Sequence, residues 1–383
     1  MTRSIRTLFA IPVICSLTGL PLAADKKPKS DDDGMVLEVS TKKKKNKDDD
    51  MTQTLPPPKE PPTAVVADTD RLMFQVSPLS AKGLLSQQTR DAMKSLLRSN
   101  RGATVVKLRA FVAGSGDMRR IQDIAGEVFA AAHLNLPALS VVQAGALPLE
   151  GAQVVIESVG VEKKILNDNG VAFVSGQAGN SLAEALEQMK KTLASAGMDG
   201  SDVRRVTCFV SSLEANQNAR ALIEASFSEA AANYLQMQRG PVTPAAECEG
   251  VARLRQAPNQ AVTYLNTPES AGAGTYSQMV LVHAPKVVFT STQLGFGSQE
   301  SDVRLAFDRL QKALASLNAN LGKLAMSHVY LTSMAIAEKV RAVRKTFYDA
   351  MNPPASTLLP FEALPSLDAS FGVDVVAVPE PGA

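Results

Sequence analysis

The chain has 383 residues, of which 45% are hydrophobic, and its formal net charge is +2. Such a length accommodates roughly two to four ordinary domains. The small net charge gives no support to a nucleic acid or another highly charged partner. The sequence has three Cys and three His but no CxxC or HExxH spacing. We therefore expect neither a metal site nor another cofactor.

Residues 1–24 have the pattern of a signal peptide. Arg3 and Arg6 form a basic start, Leu8–Leu17 is an apolar stretch too short to span a bilayer comfortably, and positions 22–24 offer small residues for cleavage. A buried first helix is the alternative, and it is disfavoured because a highly charged segment follows. We expect an exported protein, periplasmic or secreted, without a membrane span.

The segment that follows, residues 25–63, has low complexity. It combines runs of Asp with Lys42–Lys45 and with proline clusters such as Pro56–Pro58. Charge blocks and prolines bury too little apolar surface to offset the loss of chain entropy. We expect a disordered, solvated spacer. A tether to a charged cell-surface polymer is the alternative.

The rest of the chain carries an internal repeat. Apolar strand-like runs match at 72–77, 171–176 and 287–292, and helix-period segments follow near 86–99, 181–195 and 301–316. Each copy continues with a strand, a second helix pattern and two strands around a Pro-containing turn. This order predicts three β-β-α-β-α-β-β units, at about 64–160, 161–256 and 262–378.

Each unit predicts an α+β domain in which two amphipathic helices cover one face of a sheet. The final strands are apolar on both faces, as at Val154–Ile156, so the second sheet face also needs a cover. We expect the three sheets to pack around a pseudo-threefold axis. The chain should then be a monomer in solution, because it already supplies three units.

Two cysteines, Cys208 and Cys248, follow the predicted signal peptide, and both lie in apolar strand patterns of the second unit. An oxidising compartment permits a disulfide, while a free Cys serves equally well as a small buried hydrophobic residue. Because two positions alone do not reveal pairing, we favour two buried thiols and keep the disulfide as the alternative.

The order of elements and several local motifs resemble the Rid (reactive intermediate deaminase, or YjgF) family over residues 64–378. The motifs that carry the resemblance are Val171-Ala172-Phe173-Val174-Ser175-Gly176-Gln177, Tyr276-Ser277-Gln278, Ala363-Leu364-Pro365 and Val155-Ile156-Glu157. The resemblance implies chorismate-mutase-like domains with clefts between neighbouring units. It also implies metal-independent hydrolysis of enamines and imines to ketones and ammonia.

The resemblance further implies a set of site residues. The family glutamate, which positions water, corresponds to Glu157 and Glu249, and Val376 replaces it in the third copy. The family tyrosine corresponds to Tyr276. Each of these side chains has an alternative as a packing or locally paired residue.

The family also uses an arginine that pairs with the substrate carboxylate. All three copies lack it, since the matching positions hold Leu139, Ala232 and Ser356. Arg239 and Arg109 are candidate substitutes, and ordinary edge or surface charges are the alternative that we favour.

Two functions from different classes remain. The missing arginines favour a protein whose clefts bind a small molecule, with little or no deaminase activity toward α-imino acids. The glutamates leave open an exported enamine or imine hydrolase with a substitute anchor. The ribonuclease label that the family also carries is disfavoured, because His133, His283 and His328 fall in different elements.

Overall fold

The computed structural model describes residues 59–100, 102–114, 116–240, 242–266 and 275–381. The predicted signal peptide, 1–24, and most of the predicted disordered tail, 25–63, lie outside these ranges. The last residues of that tail depart from the prediction. Pro62 and Thr63 accept hydrogen bonds through their carbonyl oxygens from the side chain and backbone of Ser291, at 2.7 and 2.8 Å.

These ranges contain strands and helices in the predicted alternation. The strands are β1 (Ala64–Asp68), β2 (Leu72–Val76), β3 (Thr104–Val112), β4 (Ala138–Gln143), β5 (Val154–Val161), β6 (Val171–Gly179), β7 (Val203–Val210), β8 (Ala231–Gln236), β9 (Ala246–Arg253), β10 (Val262–Leu265), β11 (Met279–Val282), β12 (Lys286–Thr290), β13 (Gln293–Phe296), β14 (Leu324–Leu331), β15 (Ala355–Pro360) and β16 (Ala369–Ala377). The helices are α1 (Leu85–Ser99), α2 (Arg120–Ala131), α3 (Leu182–Ala194), α4 (Ala219–Ser226), α5 (Glu300–Ala315) and α6 (Ala337–Arg344). None of the helices in the described ranges combines the length and hydropathy that a bilayer crossing requires.

The strands form three sheets that share one strand order. The first sheet runs β2-β5-β3-β4, the second contains β6-β9-β7-β8, and the third contains β12-β16-β14-β15. In each sheet the two central strands are antiparallel, and the last pair is parallel because a helix connects its strands. The fold is therefore α+β with a strand order that recurs three times.

The helices cover the outer face of each sheet. In α3, the side chains of Leu182, Leu186, Met189 and Leu193 are buried, and their spacing forms one apolar stripe. Ser181 caps this helix by accepting a hydrogen bond from the backbone N–H of Glu184. The predicted helices near 86–99, 181–195 and 301–316 are confirmed as α1, α3 and α5.

The inner faces of the three sheets pack on one another. Phe111, Phe209 and Phe361, one from each unit, form an aromatic cluster with ring centroids 5.7–6.2 Å apart. A second apolar cluster contains residues from all three sheets. This contact supplies the cover that the apolar inner strand faces require.

The first strands of two units lie in the sheet of a neighbouring unit. β1 pairs with β12, so residues 64–68 belong to the third sheet, and β11 pairs with β6, so residues 279–282 belong to the second. The boundaries at 64 and 262 therefore do not separate independent sheets. The units are therefore connected by backbone hydrogen bonds between their strands as well as by side-chain packing.

The two cysteines form a disulfide, so the preference for free thiols was wrong. Cys208 on β7 and Cys248 on β9 are directly opposite in an antiparallel register, with Cα atoms 4.1 Å apart. Adjacent strands thus place both side chains on the same sheet face, within reach of each other. The sequence showed two apolar strands but did not show that they were neighbours.

Replacing both cysteines with alanine should lower the free energy of unfolding by about 3 kcal/mol, because the bridge restricts the unfolded chain. Urea unfolding of the two proteins measures the difference. Titration of the unreduced, unfolded wild type should find no reactive thiol at either position. Two free thiols would contradict the pairing.

Candidate functional site

The glutamates and the arginine singled out from sequence meet in the interior. Arg109 on β3 donates from Nε and Nη2 to Oε2 of Glu157, at 2.9 and 2.7 Å. The same Nη2 donates to Oε1 of Glu249, at 2.7 Å, and so joins the first sheet to the second. Thr207 and Asn233 donate to the other oxygen of Glu157, each at 2.7 Å. All of these residues are buried.

The third sheet contributes Asp374 and His328. Nδ1 of His328 lies 2.8 Å from Oδ1 of Asp374, and Nε2 lies 3.3 Å from Oε1 of Glu249. Asp374 also accepts hydrogen bonds from Ser140 at 2.5 Å and from Tyr330 at 3.0 Å. We call this set the central polar cluster; it comprises Lys107, Arg109, Glu157, Arg205, Thr207, Asn233, Glu249, His328, Tyr330 and Asp374.

Strand register shows that the third copy keeps a carboxylate. Arg109 is opposite Glu157, Thr207 is opposite Glu249, and His328 is opposite Asp374. The assignment of Val376 to this position was therefore wrong by two residues: Asp374 follows the turn proline Pro365 at the same distance at which Glu157 follows Pro148.

Mutual charge stabilisation holds the cluster ionised. Burial alone would raise the pKa of Glu249, but Arg109 and His328 outweigh it and hold that pKa well below its usual range. Burial would lower the pKa of Arg109, yet Glu157 and Glu249 raise it well above its ordinary value. The catalytic roles of Glu157 and Glu249 stay a prediction; their positions favour a structural role.

Three clefts lie between neighbouring sheets, and each contains one of the positions at which the family resemblance placed an arginine. Leu139, Ala232 and Ser356 occupy the same register position, opposite Leu108, Val206 and Ser327. The first cleft, of about 510 Å³, lies between the first and second sheets and includes Ala232. The second, also about 510 Å³, includes Ser356, and the third, about 230 Å³, includes Leu139.

The first and third clefts have changed most from the expected pattern. In the first, Asn233 lies beside Ala232 but donates into the central polar cluster. In the third, Ser291 accepts a hydrogen bond from the backbone of Leu139 and donates to Pro62. The segment that contains Pro62 closes part of this third cleft. Leu139 and Glu157 therefore do not line the same cleft.

The second cleft brings together Tyr276, Glu247 and Arg344 around Ser356. Nη1 of Arg344 donates to Oγ of Ser356 at 3.0 Å, and Nη2 lies 3.3 Å from the carbonyl oxygen of Thr275. Arg344 belongs to α6, and its guanidinium thus lies beside Ser356, a position at which the family resemblance placed an arginine. A different element supplies the cation at nearly the same place.

Arg344 is a buried cation, 3% exposed, without an acidic partner among the described residues. Burial lowers its pKa, and no carboxylate offsets this. Its Nε has no hydrogen-bond partner there. Burying an uncompensated charge costs several kcal/mol, so such a group is expected where an anionic ligand binds.

Glu247 is the acidic group of the second cleft. Burial, followed by the charge of Glu249, raises its pKa to about 8, so the carboxyl is largely protonated at neutral pH. Burial and the charge of Glu247 also raise the pKa of Tyr276. Gly176 gives the carboxyl room, because a Cβ at this position would overlap Oε1 of Glu247.

Of the predicted anchors, Tyr276 lies in this cleft, whereas Arg109 and Arg239 do not. Arg239 follows the end of β8 with an exposed side chain that donates to the carbonyl oxygen of Gly145 at 2.9 Å. It lies three residues beyond the last residue of that strand, Gln236.

Sequence reasoning missed Glu247 and Arg344. Glu247 lies two residues before Glu249, so both project from the same face of β9. The two side chains differ only in their position along the strand. Arg344 lies 12 positions before Ser356. It also resembles the basic residues that commonly end helices. The available signal for Glu247 was its position, since it is an acidic residue near the start of the last strand of the second unit.

Residues 266–379 match the model of a family described as Endoribonuclease L-PSP. This part of the chain is similar to that family. The match covers the third unit, including β11, which pairs with the second sheet. A search of curated proteins found no match.

Several solved structures are similar to part of the chain. A YjgF-family protein from Neisseria meningitidis is 17% identical, with a TM-score of 0.24, over 32% of this chain and 97% of that chain. A member of the YjgF/YER057c/UK114 family from Mycobacterium tuberculosis is 19% identical, with a TM-score of 0.23, over 30% and 98%. Escherichia coli TdcF with bound serine is 19% identical, with a TM-score of 0.23, over 24% and 81%.

The raised pKa of Glu247 predicts a pH dependence of stability. Between about pH 4.5 and pH 8 the folded protein keeps a proton that the unfolded chain has lost, so stability should fall as pH rises. The slope that this group adds should stay below about 1.4 kcal/mol per pH unit. A comparison of urea unfolding of wild type and Glu247→Gln across this pH range isolates the contribution of Glu247 to the slope. An unchanged slope in the variant would contradict the raised pKa.

Replacing Arg109 with methionine should destabilise the fold by about 3–5 kcal/mol, because two buried carboxylates lose their shared partner. Arg119→Met is the matched control. Arg119 pairs with Asp117 on the surface, and its side chain is 78% exposed, so its loss should leave stability nearly unchanged. Equal effects of the two changes on urea unfolding would refute the importance of the cluster.

Proposed function

We propose that this chain is an exported protein of the Rid/YjgF type that binds one small carboxylate-bearing metabolite in its second cleft, with Arg344 as the anchor. The observation that carries the proposal is the buried Arg344 guanidinium, which has no acidic partner in the described residues and bonds to Ser356. The signal-peptide pattern of residues 1–24 supports export.

The charge balance of the cleft supports an anionic ligand. Arg344 and Arg341 line it, and Glu338 pairs with Arg341, which leaves Arg344 for a ligand. Glu247 adds no full negative charge near neutral pH because its pKa is raised to about 8. A planar carboxylate matches the geometry of a guanidinium that offers parallel N–H donors.

The other two clefts support a single site per chain. The first has no cation at Ala232, and Arg220 at its edge is paired with Glu224 at 2.7 Å. Residues 62 and 63 close part of the third. One chain with three repeats then acts as a monomer that carries one ligand site.

A second candidate function, hydrolysis of an enamine or imine, is favoured by Glu247. A protonated carboxyl donates a proton to the substrate, water adds to the imine carbon, and ammonia leaves as the carbonyl forms. Tyr276 and Gln177 line the same cleft and are available to orient the substrate. This candidate extends the binding proposal and needs the same anchor.

The anchor is tested by replacing Arg344 with methionine. Calorimetric titration with 2-oxobutyrate should show at least a tenfold weaker Kd, since a charge-assisted hydrogen bond contributes about 1.5–3 kcal/mol. Arg220→Met, on the matching helix of the second unit, should leave the Kd unchanged. The proposal fails if wild type does not bind the anion or if Arg344→Met binds it equally well.

Ammonia release from an enzymatically generated imine distinguishes the two candidates. Hydrolysis predicts a rate above background in wild type that Glu247→Gln removes while 2-oxobutyrate still binds. A wild-type rate equal to the uncatalysed background restricts the function to binding.

A further inference from the structure

The central polar cluster surrounds a small cavity that has no lining residue in common with the second cleft. The cavity has a volume of about 20 Å³ and is lined on one side by Phe74, Phe173 and Phe289, one from each sheet. Its polar wall is formed by Lys107, Arg109, Glu157, Ser158, Arg205, His328 and Asp374. A volume of this size holds one occupant as large as a water molecule or a monoatomic ion.

Four residues of this wall have hydrogen-bond donors without a partner. They are Nη1 of Arg109, Oγ of Ser158, Nε of Arg205 and Nε2 of His328, and each residue is less than 9% exposed. Nε2 of His328 lies 3.3 Å from Glu249, close enough for charge attraction but not aligned for a hydrogen bond. Buried donors of this kind normally have an acceptor, so the cavity lacks one.

The charges around the cavity favour an anion over water. The cluster contains four basic side chains, Lys107, Arg109, Arg205 and His328, and three carboxylates, Glu157, Glu249 and Asp374. With all seven ionised, one positive charge is left over. A water molecule must also donate hydrogen bonds. The two carboxylates of the wall already accept several, which leaves the Ser158 hydroxyl oxygen as the wall acceptor without a partner among the described residues.

We propose that this cavity is a halide site occupied by chloride. The chloride ion accepts hydrogen bonds from the unpaired donors of Arg109, Arg205 and His328. The three phenylalanines suit a large, weakly hydrated anion, because they provide an apolar wall opposite the donors. Neither the carboxylate anchor nor Glu247 takes part, so the site goes beyond the proposed ligand cleft.

Protonation of His328 should control the affinity. Several charged or titratable groups surround its ring, namely Asp374 on β16, Glu249 on β9, Tyr330 on its own strand, Arg109 and Lys107 on β3, and Arg205 on β7. Burial lowers the pKa of His328, but Glu249 and Asp374 outweigh it and raise the pKa. Deprotonation at higher pH removes both a donor and the surplus charge, so halide affinity should fall as pH rises.

Anomalous diffraction from wild-type crystals soaked in sodium bromide tests the site directly. A bromide peak in contact with Arg109, Arg205 and His328 is expected, with higher occupancy at about pH 5.5 than at about pH 9, because protonation of the histidine favours the anion. Density that refines as water only, with no anomalous signal at either pH, would overturn the proposal. This measurement needs no variant.

Thermal unfolding in solution provides the second test. Chloride should raise the unfolding temperature of wild type at about pH 5.5 more than sulfate of matched ionic strength does, because sulfate exceeds the cavity. In His328→Gln the apparent chloride Kd should weaken at least tenfold at this pH, and its pH dependence should disappear. Equal stabilisation by the two salts in wild type would contradict a halide site, even if the variant fails to fold.

Discussion

The shared ion pair of Arg109 with Glu157 and Glu249 is the contact on which the packing of the first sheet against the second depends. Apolar clusters on the inner faces hold the sheets together, but they tolerate small shifts of one sheet against another. A guanidinium that serves two carboxylates from different sheets accepts one arrangement only, with both bonds at 2.7 Å. Such a pair adds little net stability over apolar packing, and its loss leaves buried charge.

The repeat within a single chain explains how this cluster can exist. At one register position the three copies hold Arg109, Thr207 and His328, each opposite a carboxylate. A symmetric trimer of identical chains repeats one residue three times at this place. Three arginines or three histidines would set like charges together in the interior. A chain that contains all three copies is free to vary each position, and here the variation produces complementary charges.

Much of the fold was accessible from sequence because helix and strand periods are local. The spacing of Leu182, Leu186, Met189 and Leu193 fixed the apolar face of α3 without knowledge of its neighbours. Strand pairing between units was not accessible, since the exchange of β1 and β11 depends on contacts distant in the chain. The prediction of free thiols at Cys208 and Cys248 was wrong for the same reason.

The candidate site was predicted only in part, and the errors have one physical origin. A period of two places Glu247 and Glu249 on the same face of β9, and sequence does not show which lies in a cleft and which in the interior. Arg344 was missed because it reaches Ser356 from a helix, whereas the family arginine is on a strand. Motif positions identified the right place for a cation but not the element that supplies it.

The central polar cluster and the second cleft are coupled through β9. Arg109 and His328 keep Glu249 ionised. Its negative charge, two residues along the strand, adds to burial in raising the pKa of Glu247. The central polar cluster therefore contributes to the protonation of Glu247, after burial, and a change that neutralises Glu249 lowers the pKa of Glu247 without altering any residue of the cleft. This coupling helps to explain why, near neutral pH, Glu249 is ionised whereas Glu247, on the same strand face, is largely protonated.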